Sequence, residues 1–194
     1  MLAKKVLREG CWFMRDILLE PISYQPMLSI REETPQDYEA IREVNRLAFQ
    51  QEEEGRLVDR LRADGLVVAS LVAVEDGGVV GHILFSELLI ETDRGLLRAA
   101  SLAPMAVRPE RQRRGIGSAL VLRGLEVCRE RGYSIVVVVG HPSYYPRFGF
   151  SAERARNLRS PFAGEAFMGL ELVAGALEGL EGRVRYPEAF GLAG

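Results

Sequence analysis

Lysine is nearly missing from this sequence: Lys4 and Lys5 are its only two, and every later basic residue is arginine. Cysteine is as scarce. Cys11 and Cys128 stand far apart, with no His or Cys neighbour at metal-ligand spacing. That argues against a disulfide scaffold and against a zinc site or other metal centre, and makes a reducing, cytoplasmic compartment the expectation. No apolar run is long enough to span a bilayer. Nor is there a strong excess of either charge, since the formal net charge is -2. A general nucleic-acid or membrane-surface binder needs a basic field over a whole face, so neither partner is expected. Internal repeats and low-complexity tracts are absent too.

What is present fits one soluble domain: 194 residues, 47% apolar and 27% charged. The first stretch, residues 1–26, stands apart. It holds both lysines and the only tryptophan, and its apolar residues are interrupted by Arg8, Glu9, Arg15 and Asp16. That makes a poor signal peptide. Two accounts stand for it: an extra amphipathic segment, or a start codon placed too early. Residues 27–175 read as the domain, and 176–194, rich in glycine, as loops lying on its body.

From Met27 the punctuation is regular. "LSIREE" reads as a strand. Thr34, Pro35 and Asp37 then form an N-cap, a first-turn proline and a capping-box acid, and the helix they open runs to about Phe49. "EEEGRLVDRLRADG" predicts a second helix stopped at Gly65. Two strands flank a hairpin signal at Gly77-Gly78, and "RAASLAPMAV" is another strand, in which Pro104 forbids a regular ladder. A helix from Arg114 to about Arg131 leads into "SIVVVV", a β-branched run suited to burial on both faces. Strand, helix and buried strand make a βαβ unit, so the fold class is α/β with a mixed sheet and at least one parallel pair.

The chemistry concentrates in "VRPERQRRGIGSAL". A helix start leaves backbone N–H groups unpaired and carries the positive end of the helix dipole. Gly115 and Gly117 remove side chains at that mouth, so the amides of Arg113, Arg114, Gly115, Ile116, Gly117 and Ser118 are placed to converge on a phosphate. Arg108, Arg111, Arg113 and Arg114 add charge for further phosphates. A P-loop would need Gly-Lys-Ser/Thr, and a dinucleotide fold a third glycine at Leu120. Neither is here.

Gln112-Arg113-Arg114-Gly115-Ile116-Gly117, set between strand and helix, together with Tyr145 to Phe150 in "SYYPRFGF", resembles the GNAT superfamily of N-acetyltransferases. The resemblance implies the GNAT fold, in which two parallel strands splay apart where acetyl-CoA enters. It implies acetyl-CoA as co-substrate, held by Ala106 and Val107 along its pantetheine arm and by the Gln112–Ser118 segment at its pyrophosphate. It also implies a tyrosine that protonates the departing thiolate: Tyr145 by spacing, with Tyr144 as the competing assignment. Relatives often carry a glutamate on the bulged strand, where this sequence has "AASLAPMAV" and no carboxylate. Glu87 and Glu54 are the base candidates, with His141 behind them, and His82 reads as a satisfied structural residue.

The expected activity is transfer of an acetyl group to a primary amine, directly and in a ternary complex. The acceptor class stays open between small-molecule amines and peptide or protein amines, and oligomeric state is open too, a homodimer included. An acyl-CoA-binding sensor without turnover is the alternative, motivated by the missing glutamate.

Overall fold

Continuous buried runs, Val68–Ala73 and Val79–Ser86, mean a sheet covered on both faces there. The structure, a computed structural model, describes residues 27–162 and 164–192; the readings made for residues 1–26 and for Cys11 lie outside them. Strand β1 (Ser29–Glu32) is followed by a short 3-10 turn and helix α1 (Tyr38–Phe49). The expected cap is present: Thr34 N and Oγ1 both donate to Asp37 Oδ2, at 2.7 and 2.9 Å. Arg31 grips the same carboxylate with two bonds and, with Thr34, holds its pKa well below the usual range. Helix α2 (Glu53–Ala63) ends at Gly65, whose φ of +68° is the left-handed stop that its sequence signals.

Strands β2 (Val67–Glu75) and β3 (Gly78–Thr92) form the expected hairpin, one residue out of phase with the sequence signal. The turn is Asp76-Gly77, with φ of +52° and +78°, and Glu75 faces Gly78. Positive φ at both central residues is what a two-residue hairpin needs to follow the strand twist. Strand β4 (Gly95–Val107) pairs antiparallel with β3, and helix α3 (Ile116–Glu130) leads from it to β5 (Ile135–Val139). The β4–β5 pair is parallel, so the βαβ unit is present. A short helix α4 (Ala152–Ala155) precedes β6 (Leu158–Arg159) and β7 (Phe167–Glu171).

The last segment corrects the expectation of loops from residue 176 onward. Gly182–Arg185 is a strand, β8, paired with β6 on one side and with Leu89–Glu91 of β3 on the other. Eight strands thus share one mixed sheet, in the order β1-β2-β3-β4-β5-β7 with β8 and β6 attached to the lower half of β3.

Helix α3 covers one face, where Ile116, Leu120, Val121, Leu125 and Cys128 pack on Ile83, Phe85, Leu102 and Val136. The approach is close because Gly124 has no side chain: a Cβ there would stand 2.2 Å from Phe85 Cε2. Helices α1 and α2 cover part of the opposite face through Ile41, Val44, Val58 and Leu61 on Val72, Leu84 and Ala106. A third cluster on that face joins Leu88, Ile90, Ala99 and Val137 to Leu177 and Val184 from the chain's end.

Candidate active site

Strand β4 breaks its own ladder. Leu102 faces Phe85 and Met105 faces Ile83, so Ala103 and Pro104 together oppose the single residue Leu84. Two residues against one is a β-bulge, and a proline, which has no N–H to donate, fits it. On the other side, β5 pairs with β4 only through Ala100–Val136, Ser101–Val137 and Leu102–Val138. Beyond the bulge the two parallel strands are not paired, and Val139 at the end of β5 is exposed.

The phase of the β3–β4 ladder decides which backbone groups face that gap. Arg108 N donates to Val80 O at 2.9 Å, which makes Val80 and Arg108 a hydrogen-bonded pair. Alternation then gives the next such pair to His82 and Ala106, and turns the groups of Met105 and Val107 outward. Ala106, expected to contact a ligand through its backbone, instead faces β3 with its main chain. Met105 turns its main chain toward the gap. The Val107 carbonyl accepts from Gln112 Nε2 at 3.0 Å, so Gln112 serves the loop with its side chain.

The glycine loop lies at the mouth of α3. Gly115 is the N-cap with φ of +84°, and a Cβ placed on it would meet nothing within 4 Å. The first turn closes with Ala119 N donating to Gly115 O at 3.0 Å, which leaves the amides of Ile116, Gly117 and Ser118 without helical acceptors. Ile116 itself buries its side chain against the core, so only its main chain is available to a ligand.

Of the four arginines, the structure separates two pairs. Arg111 is ion-paired to Glu75, while Arg108 donates from Nε to Val79 O at 3.0 Å and lies 3.8 Å from Glu110. Arg113 and Arg114 are exposed and have no ion-pair partner among the described residues.

The segment after β5 brings the two tyrosines to different places. Tyr144 is half-buried, and its hydroxyl stands 3.0 Å from where a Gly117 Cβ would sit and 3.5 Å from Ser118 Oγ. Arg147 lies over its ring at 4.6 Å. Tyr145 is buried, with edge contacts to Tyr144 and Phe150 at centroid distances of 5.1 and 5.7 Å. The residue is 7% exposed, and its hydroxyl has no hydrogen-bond partner among the described residues. Burial, with Tyr144 adding to it, pushes the phenol up to about 12, and it stays protonated at neutral pH.

The two carboxylate candidates also diverge. Glu87 is held by Arg98 at 2.7 Å and by the Tyr133 hydroxyl at 3.0 Å, beside the C-terminal end of α3 and not its mouth. The Arg98 bond lowers its pKa, which makes it a weak proton acceptor. Glu54, in the first turn of α2, accepts from Gln51 at 2.8 Å through Oε1, while Oε2 is buried with no hydrogen-bond partner among the described residues.

His141 is an exposed loop residue whose carbonyl accepts from Tyr144 N. His82 is structural, as its place in a strand implies. It is fully buried between Ser70 Oγ, 2.9 Å from Nε2, and Asn45 Nδ2, 3.3 Å from Nδ1. Ser70 in turn donates to Glu33 Oε2 at 2.5 Å, and Glu33 pairs with Arg62. Cys128 is buried, and desolvation raises its thiol to about 12, so it is no nucleophile. A cavity of about 1100 Å³ opens at the other end of the β3–β4 hairpin, between Arg94, Arg159 and Gly182, and includes none of these residues. No helix among the described residues is long and apolar enough to cross a membrane.

Comparison with known proteins places this arrangement in a family. The family model described as an acetyltransferase (GNAT) domain matches residues 29–152. The uncharacterised N-acetyltransferase YhbS of Escherichia coli K12 is 37% identical over 164 residues, spanning 83% of this chain and 97% of its own. A crystal structure of Escherichia coli YhbS in complex with CoA superposes with a TM-score of 0.79 at 35% identity, covering 88% of this chain and 95% of that one. A GNAT acetyltransferase from Brucella melitensis in complex with acetyl-CoA gives a TM-score of 0.72 at 37% identity, covering 86% and 99%. Matched by the family model over residues 29–152 and aligned with relatives over nearly their whole length, the chain belongs to the GNAT acetyltransferases.

Proposed function

We propose that this protein transfers the acetyl group of acetyl-CoA to a primary amine. The observation that carries the reading is the gap beyond Leu102 and Val138, which opens beside a helix mouth with free amides. The amides of Gly115, Ile116, Gly117 and Ser118 take the pyrophosphate, supported by the side chains of Arg113 and Arg114. The outward main-chain groups of Met105 and Val107 pair with the pantetheine arm in place of the missing strand, and a fixed amide there polarises the thioester carbonyl.

The acceptor must be neutral to attack. Glu54 takes its proton, directly or through water: it has no ion-pair partner among the described residues, whereas Glu87 is held by Arg98. The amine nitrogen bonds to the carbonyl carbon, the C–S bond breaks, and the departing thiolate receives a proton from the Tyr145 hydroxyl. With Cys128 buried and protonated, transfer is direct and leaves no acyl-enzyme.

One feature favours a second reading, an acyl-CoA sensor without turnover: β4 carries no carboxylate anywhere along its length. Calorimetry with CoA and thiol release across an amine panel decide between them. Binding with turnover that drops in Glu54→Gln supports the transferase. Binding without turnover on any amine favours the sensor, and absence of CoA binding overturns both.

A further inference from the structure

Gly140 directly follows β5, and nothing in its own backbone requires a glycine. Its φ lies outside the left-handed region, unlike that of Gly115 or Gly132, where φ is +84° and +80° and the space around the missing Cβ is empty. An alanine at 140 is therefore compatible with the chain path. What excludes it is one side chain: a Cβ on Gly140 would lie 2.1 Å from Tyr145 Cε2, 2.7 Å from Cδ2 and 3.2 Å from Cζ. The Tyr145 ring rests directly on the bare Cα.

The rest of its enclosure leaves the ring one place to be. Phe150, 2% exposed, meets it edge-on at 5.7 Å, and Tyr144 meets it edge-on at 5.1 Å. The backbone on both sides is pinned: Gly140 N donates to Ala166 O at 2.9 Å, and Gly149 N closes the following turn on Pro146 O at 3.0 Å. Neither the end of β5 nor the turn can retreat without breaking a hydrogen bond.

We propose that Gly140 is a positioning residue for the transfer reaction, its missing side chain forming the seat that fixes the Tyr145 ring and aims its hydroxyl. The inference rests on Tyr145 as the proton donor to the thiolate. Gly140 touches neither substrate nor cofactor in this scheme; it acts only through the ring laid on it. An alanine there tips the ring off its seat and moves the phenol oxygen, while the pyrophosphate grip at Gly115–Ser118 is left as it was.

A double-mutant cycle on the full chain tests this. Removing the donor with Tyr145→Phe lowers kcat by about 10²-fold. Gly140→Ala lowers kcat to a similar extent, with KM for acetyl-CoA within about twofold, and the double variant is no slower than Tyr145→Phe alone. A merely structural glycine gives instead a double variant that loses both increments, or a Gly140→Ala that keeps full kcat while Tyr145→Phe does not; either overturns the positioning role alone. An unchanged kcat in Tyr145→Phe removes the donor reading and the positioning role with it. If Gly140→Ala does not fold, Gly140→Ala/Tyr145→Leu, which clears the overlap, is expected to fold and to stay slow. Failure of that pair to fold refutes the seat.

Discussion

His82 gives the protein an acid-sensitive core, and the size of the effect follows from its surroundings. Ser70 Oγ donates to Glu33, so it can only accept from His82 Nε2–H, and Nδ1 is left to accept from the Asn45 amide. The ring is neutral and has no place for a second proton. Burial pushes its pKa down from 6.5 to about 3, although the nearby Glu33 carboxylate opposes that shift. Between those two values the unfolded chain binds a proton that the folded one refuses. Stability therefore rises with pH through this window and is lost as pH falls. Each pH unit is worth about 1.4 kcal/mol, so acidifying from pH 6.5 to about pH 4.5 removes about 2.5 kcal/mol before most carboxylates titrate. Urea unfolding of the wild type and of His82→Gln across that range measures it. The glutamine can donate to Ser70 but does not titrate, so the two stability curves are expected to converge on acidification by about that amount. Curves that run parallel would refute the buried neutral imidazole.

Four further substitutions separate binding from packing. Arg113→Ala and Arg114→Ala should each raise KM for acetyl-CoA by about threefold to tenfold with kcat little changed, and lose part of that effect in high salt. Arg111→Ala, which breaks the pair with Glu75, should show in unfolding experiments and not in KM. Gly124→Ala forces a methyl into the Phe85 ring and should cost about 1–3 kcal/mol in urea unfolding; a neutral result would mean that α3 can lift from the sheet.

Much of the upper fold was legible because its signals are local. Thr34, Pro35 and Asp37 announce α1 within four residues, Gly65 stops α2, and the β-branched run of β5 implies a buried parallel strand. Strand β8 was not legible. Its four residues alternate buried and exposed, but they sit among glycines, and their partner on β3 lies far away in the chain. The site divides the same way. Gly115 and Gly117 follow from a local rule about helix starts. The pairing of Arg111 with Glu75, 36 residues earlier, takes one arginine out of the cluster by a contact that spacing does not report. Met105 was passed over for Ala106 because outward and inward backbone groups differ by one ladder step, and the bond from Arg108 to Val80 that sets the step exists only in three dimensions. Glu87 and Glu54 looked alike as letters; Arg98 and Tyr133 make the difference between them.

The brief contact between β4 and β5 also bears on how the molecule holds together. Among the described residues, three residue pairs are the only ladder joining β1–β4 to β5 and β7. A pantetheine arm laid along Met105 and Val107 would act as a suture there. Cofactor occupancy would then raise the melting temperature and slow amide exchange along the seam, tying cohesion of the two halves to the supply of the thioester.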